Sequence, residues 1–219
     1  MSHQSLIDLN RRRWQRLCVS LRVVNLPDKA SVYRQGERCA DVYAIARGHI
    51  KLTRVSAAGM AHTMIILPAG DVCGAPLTGE PIPRVPDTAT TKGAAELYRI
   101  PVRELMAAVA TDTELAEFII QRLAKRQGFL ERRVEQLLNR DVSGRVVAIL
   151  FELTGSYGGR CAHGHEIDVR LTQQELAEMT GASRPTVSTV LNRLRDKGII
   201  SYTRHYICIE SLRALEKYI

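Results

Sequence analysis

Thr172 is followed three residues later by Glu175, the spacing at which each side chain satisfies an orphan backbone donor of the other, so a helix opens at about Thr172. Leu176, Ala177 and Met179 give it an apolar side, and Thr180-Gly181-Ala182 breaks it with a glycine that can turn the chain sharply. A second helix follows at once. Ser183 is its N-cap, and Pro185 sits in the first turn, where a missing N–H costs little. Val187, Val190, Leu191 and Leu194 make one inward stripe, which leaves Pro185, Ser188, Thr189 and Asn192 outside on a face without bulk or acid. Gly198 ends the helix. Residues 199–202, a basic tip at Arg204-His205 and residues 206–209 predict a two-stranded hairpin beside it, and the whole reads as a winged helix-turn-helix.

Each signal alone fits any small helical hairpin, but their conjunction at fixed offsets points to a DNA reader. Short side chains let a helix backbone approach the floor of the major groove, where Arg184 can reach the O6 and N7 acceptors of guanine. Arg193, Arg195 and Lys197 add charge further along. The 219 residues carry a formal net charge of +8, which favours polyanions without identifying one. Arg11-Arg12-Arg13 reads as a solvated helix face rather than a DNA arm.

Upstream, Ala116, Ile120, Leu123, Gln127, Leu130, Val134 and Leu137 alternate steps of four and three, a heptad seam on a helix over residues 112–139. The polar Gln127 and the mid-helix Gly128 weaken it, so packing within the chain competes with dimerisation. Paired recognition helices about 34 Å apart match a palindromic site, which favours the dimer. Asp141 caps the next helix, and residues 139–141 read as a hinge between seam and reader.

Residues 20–100 change character. Val42-Tyr43-Ala44-Ile45, residues 49–55 and residues 62–67 are short apolar runs, and Gly36, Gly48, Gly59 and Gly70 recur as turns at the spacing of an all-β barrel or sandwich. Residues 76–86 are proline-rich and read as a surface loop or pocket lid. The fold class is α+β, with a β sensor domain at 1–111, the dimerisation helix at 112–139 and the DNA-binding domain at 140–219. The first thirty residues are charged and hold no long apolar core, and the five cysteines form no paired framework, so a reducing cytoplasm and no membrane span are expected.

The chain resembles the cyclic-AMP receptor protein/FNR family of bacterial transcription regulators over nearly its whole length. Arg34-Gln35-Gly36-Glu37, Tyr43-Ala44-Ile45 through Gly48-His49-Ile50-Lys51-Leu52, Pro68-Ala69-Gly70-Asp71, Asp141-Val142-Ser143-Gly144-Arg145 and the reader carry the resemblance. It implies a jelly-roll, cyclic-nucleotide-binding-like sensor, a homodimer on a palindrome near a promoter, and contact with RNA polymerase if the protein activates. By position, Arg184, Pro185, Ser188 and Thr189 fall where the family reads bases. Thr172, Gln173, Gln174, Ser183, Thr186 and, at the wing tip, Arg204 fall where phosphates are gripped.

A cyclic-nucleotide pocket in this family uses a Gly-Glu-Leu turn and an Arg-Ser pair. This chain has Gly70-Asp71-Val72 and Val85-Pro86 there, with Arg84 the nearby cation, and Leu130-Glu131 where a hydroxyl pair meets adenine. Burying a phosphate without its arginine is costly, so cyclic AMP is not the expected ligand. Cys18 stands alone at the N-terminus, against a four-cysteine iron–sulfur cluster. Cys73 lies close to where a haem-thiolate sensor of the family carries its ligand, so haem stays open beside a buried structural role. The effector pocket is accordingly placed at Asp71, Cys73, Arg84, Leu130 and Glu131. Cys39, beside Arg38 and Asp41, reads either as an oxidisable thiol or as ordinary exposed loop, and Cys161, His163 and His165 as a flexible loop rather than a metal site.

Two functions remain. One is a DNA-binding regulator gated by an effector other than cyclic AMP, whether redox, gas through haem, or a small metabolite. The other is a ligand-independent regulator whose sensor is filled by its own side chains. No Ser-His-Asp, paired-carboxylate or P-loop arrangement supports an enzyme.

Overall fold

Along residues 41–45 both faces of one strand are covered, which is why the apolar run there is unbroken rather than alternating. Val42 and Ala44 face one cluster, with Trp14, Cys18, Ile100, Leu105, Leu115, Phe118 and Ile119. Tyr43 and Ile45 face the other, with Tyr33, Ile50, Leu52, Cys73 and Leu97. The computed structural model describes residues 11–77, 82–161, 164–167, 169–203 and 206–218, in two units, residues 1–128 and 129–219.

In the first unit, α1 (Arg11–Leu17) precedes β1 (Arg22–Leu26), β2 (Ser31–Tyr33), β3 (Asp41–Val55), β4 (Ala61–Leu67), β5 (Val72–Gly74) and β6 (Thr88–Pro101). The sheet runs β1-β6-β3-β4, with β2 on β6 and β5 on β3, and every pairing is antiparallel. The runs on either side of Gly48 belong to one strand, a correction to the turn expected there. The register against β6 slips between Ile45 and His49, so Gly48 (φ 81°) forms a bulge. A Cβ at Gly48 would stand 2.4 Å from the Ala94 carbonyl oxygen, so no larger residue fits without backbone movement.

The proline-rich segment is tied down where it is described. The Cys39 and Gly36 amides donate to the Pro83 and Val85 carbonyls, the Val85 amide donates to Glu37, and Val85 is buried. Helix α2 (Val102–Thr111) and the start of α3 (Thr113–Asn139) close the first cluster through Leu105, Leu115, Phe118 and Ile119. Cys39 is buried as well, and its thiol donates to the Asp41 carbonyl at 3.3 Å, which corrects the exposed-loop reading.

The second unit holds α4 (Val142–Tyr157), β7 (Gly158–Cys161), β8 (Gly164–Ile167), α5 (Gln173–Thr180), α6 (Arg184–Asp196), β9 (Ile200–Tyr202), β10 (Ile207–Ile209) and α7 (Leu212–Glu216). Its sheet has four strands, in the order β7-β8-β10-β9. The wing therefore exceeds the expected hairpin, and Cys161 and His165 lie on paired strands rather than in a flexible loop. Gly164 explains why the sequence hid this. A Cβ there would stand 2.2 Å from the Ile209 carbonyl oxygen, so a residue that reads as a breaker marks close strand approach. His163 of the three candidate donors lies outside the described residues.

Burial pushes the Cys73 thiol up to about 12 and also raises Cys39. Neither presents a thiolate at neutral pH. In iodoacetamide labelling of the native protein followed by peptide mass mapping, Cys73 and Cys39 are expected to stay unmodified at neutral pH and to react fully in concentrated guanidinium chloride. Native labelling of Cys73 at the rate of a free thiol would contradict its enclosure.

Candidate nucleic-acid interface

Both helix starts in the reader are capped by their own side chains. The Glu175 amide donates to Thr172 Oγ1 (3.1 Å) and the Thr172 amide to Glu175 Oε2 (3.0 Å), completing the capping box. At α6 the Thr186 amide donates to Ser183 Oγ (3.2 Å), with Pro185 in the first turn. Gly181, in the left-handed region at φ 63°, joins the two helices. Val187, Val190, Leu191 and Leu194 are buried, so the opposite face of α6 is turned to solvent.

Arg184, Pro185 and Thr189 are exposed and Ser188 is half-buried, an arrangement open enough to enter a groove. Thr189 Oγ1 donates back to the Pro185 carbonyl (3.1 Å), which lays that hydroxyl along the helix. Thr172, Gln174 and Ser183 are exposed around the two helix starts, with Gln173 and Thr186 half-buried among them. Amides and small polar groups at helix N-termini suit phosphate oxygens. Arg204 lies outside the described residues. Asn192 keeps its place on the outer face of α6, but its Oδ1 is engaged by Tyr202 Oη, from which it accepts at 2.8 Å.

Arg145 is a functional support that spacing alone did not reveal. Its Nε donates to the Thr180 carbonyl (2.9 Å) and a terminal nitrogen donates to the Arg140 carbonyl (3.0 Å). It thus satisfies acceptors left open at the end of α5 and before α4, while Asp141 Oδ1 caps α4 through the Gly144 amide (2.7 Å). On the second part of α3, Arg132 and Gln136 donate to Glu152 Oε1 of α4 at 3.2 and 3.3 Å. Arg133 lies close to Glu152 and Arg145, and burial pulls its guanidinium down to about 10.

The seam residues are open within the chain. Ile120 is 64% exposed, Val134 56% and Leu137 57%, and Leu123, Gln127 and Leu130 are exposed with them.

In the first unit, Asp71 Oδ1 lies 3.6 Å from an Arg122 nitrogen, and Asp87 Oδ2 lies 3.9 Å from Arg126. Burial raises the Asp71 carboxyl while Arg122, Lys125 and Arg126 hold it down. Tyr33 Oη donates to Asp87 Oδ1 (3.1 Å) and accepts from the Gly74 amide (3.1 Å). Cys73 is packed in the inner cluster with Tyr33 and Tyr43. Arg84 is exposed, with its guanidinium on the Gly36 carbonyl (2.6 Å). Asp71 and Cys73 thus flank one strand start, whereas Leu130 and Glu131 belong to the second unit, where both are exposed. The Arg122 and Arg126 pairs were not anticipated, because nothing in a lone sequence links α3 to residues 71 and 87.

Residues 144–218 match the Crp-like helix-turn-helix domain, and residues 23–112 match the cyclic nucleotide-binding domain. The chain is 32% identical over 181 residues to the global nitrogen regulator of Nostoc sp., covering 82% of this chain and 81% of that protein. It is 28% identical over 184 residues to the CRP-like cAMP-activated global transcriptional regulator of Mycobacterium tuberculosis, covering 84% and 82%. The solved structure of FixK2 from Bradyrhizobium japonicum superposes with a TM-score of 0.77 at 18% identity, over 90% of this chain and 96% of that one, and shares the fold. No helix among the described residues is long and apolar enough to cross a membrane.

Replacing Arg145 by methionine keeps most of its apolar stem and strands two helix-end carbonyls. The expected loss is about 1.5–3 kcal/mol, seen as a lower midpoint for the second unit in thermal denaturation followed by circular dichroism. A midpoint equal to wild type would show that the two bonds contribute nothing to the reader.

Proposed function

Because the chain belongs to the CRP/FNR family of transcription regulators, we propose that it works as a homodimer reading a palindromic promoter site, gated by an effector other than cyclic AMP. The observation that carries the dimer is the seam on α3, an apolar stripe open to water along one face of a long helix. A soluble chain gains by covering such a stripe, and a second copy supplies the matching one. A two-fold pair of α6 helices then meets half-sites one helical turn apart, so the operator repeats its sequence inverted. Thr172, Gln173, Gln174, Ser183, Thr186 and Arg204 set the register on phosphates, and Arg184, Pro185, Ser188 and Thr189 face the bases. If genes are activated, RNA polymerase is the further partner.

The sensor residues support an effector other than cyclic AMP. Arg84 is turned onto the Gly36 carbonyl, and Asp71 is already engaged by Arg122. Cys73 does not fit haem ligation, since its thiol is enclosed in the core and held protonated by burial. In the second reading, a ligand-independent regulator, the Asp71–Arg122 and Asp87–Arg126 pairs are simply the filling of part of the sensor by the chain's own side chains.

In fluorescence anisotropy on a duplex selected from a random library, Arg184→Ala is expected to lose about 1–3 kcal/mol and to relax preference at one base pair, whereas Gln173→Ala weakens selected and scrambled duplexes alike. Adding cyclic AMP leaves the wild-type curve in place. Equal losses on both duplexes for Arg184→Ala would remove it from the base-reading set, and a cyclic-AMP-dependent rise in affinity would overturn the non-cyclic-AMP assignment. Leu130→Glu is expected to shift the protein from dimer to monomer in analytical ultracentrifugation and to abolish tight binding to the full palindrome. A dimer of unchanged strength would return the seam to another role.

A further inference from the structure

We propose that Arg195 contacts a DNA phosphate and that Tyr202 and Asn192 are positioning residues that hold it in place, so that the last turns of α6 grip backbone rather than read bases. The inference rests on α6 being the helix that enters the major groove. Arg184, Ser188, Asn192 and Arg195 follow one another at steps of four, four and three, along one flank of the helix. Arg195 therefore lies roughly 16 Å beyond Arg184 along the axis at 1.5 Å per residue. The major groove is about 12 Å wide. A helix that puts its N-terminal turn on base edges thus carries its last turn out to the level of the sugar–phosphate backbone.

The local contacts agree with that placement. Asn192 would read adenine with both carboxamide atoms, its oxygen accepting from N6 and its nitrogen donating to N7. Here the oxygen is engaged by Tyr202 Oη from β9 at 2.8 Å. The Arg195 guanidinium stands 5.7 Å from the centre of the same tyrosine ring. Its pair with Asp196 at 3.2 Å is exposed on both sides and contributes little in water. A phosphate, carrying a full charge and reached without displacing any buried group, is the stronger partner. The ring backs one face of the guanidinium and so reduces the rotamer freedom that binding would otherwise remove. Tyr202 is fixed in turn by Asn192 and by pairing of β9 with β10.

The test is fluorescence anisotropy of the full chain on two labelled duplexes, one selected from a random library and one scrambled, across a series of potassium chloride concentrations. Arg195→Gln is expected to weaken both duplexes by the same factor and to lower the slope of log affinity against log salt by about 1. Arg195→Lys, which keeps the charge, restores most of the slope. Tyr202→Phe keeps the ring, drops the hydroxyl, and moves both curves the same way by less. It adds little in the Arg195→Gln background. Asn192→Ala leaves the ratio of selected to scrambled affinity unchanged. An unchanged salt slope for Arg195→Gln, in a variant that melts with wild type, would overturn the proposal, as would loss of preference at one base pair in Asn192→Ala. If the wild-type chain prefers no duplex sequence at all, the underlying reading of α6 falls and the proposal falls with it.

Discussion

The orientation of the reading helix depends on a guanidinium bound to two backbone carbonyls. Helix α5 has eight residues, too few to persist alone in water, where nucleation is costly and helices below about 12–15 residues are marginal. It persists because both ends are satisfied and one face is buried. Thr172 and Glu175 close its start. At its end, the Thr180 hydroxyl returns to the Leu176 carbonyl and Arg145 reaches the Thr180 carbonyl from the first turn of α4. The same guanidinium holds the Arg140 carbonyl, so one side chain fixes the entry to α4 and the exit from α5 together. Gly181 and Ser183 then leave α6 a single way to start, and the outer face of α6 inherits its direction from that clamp.

Helix α3 solves a different problem, that of serving several neighbours with one sequence. Leu115, Phe118 and Ile119 bury one stripe in the first unit, and Arg122 and Arg126 continue that side as cations facing Asp71 and Asp87. Ile120, Leu123, Leu130, Val134 and Leu137 run beside it as an exposed apolar stripe. Further along, Arg132 and Gln136 turn to Glu152 of α4. A helix with one apolar stripe needs one partner; two stripes call for two. The seam itself is imperfect, interrupted by the polar Gln127 and the adjoining Gly128.

What could be read from the chain follows from how local the controlling physics is. Caps at Thr172, Ser183 and Asp141, the turn at Gly181 and the stripe from Val187 to Leu194 are set within a few residues, and all are found where spacing predicts them. Pairing across a sheet is not local. The β7–β8 addition to the wing was hidden because Gly164 reads as a breaker, while its use is close approach to the backbone of Ile209, a strand distant in sequence. Gly48 misled in the reverse way, since a bulge and a turn make the same demand for positive φ. Asn192 lies on the expected face of α6, but only the position of Tyr202 decides that its carboxamide turns to the wing.

The sensor charges bear on which of the two regulatory readings is physically economical. Asp71 and Asp87 are largely enclosed, and their arginines stand at 3.6 and 3.9 Å, longer than the 2.7–2.9 Å typical of strong charge-assisted bonds. Arg122 Nε is buried without a hydrogen-bond partner, while its guanidinium sits 5.0 Å over the Phe118 ring. Desolvating such charges can cost more than loosely made pairs return, and apolar residues of similar volume often fill such a space with no loss of stability. A permanently filled sensor has no need of that expense. A gated one does, because weak internal pairs can be exchanged for a ligand's better ones at small cost, and the free energy difference between the two arrangements is what an effector can use to bias the helix that carries Arg122 and Arg126.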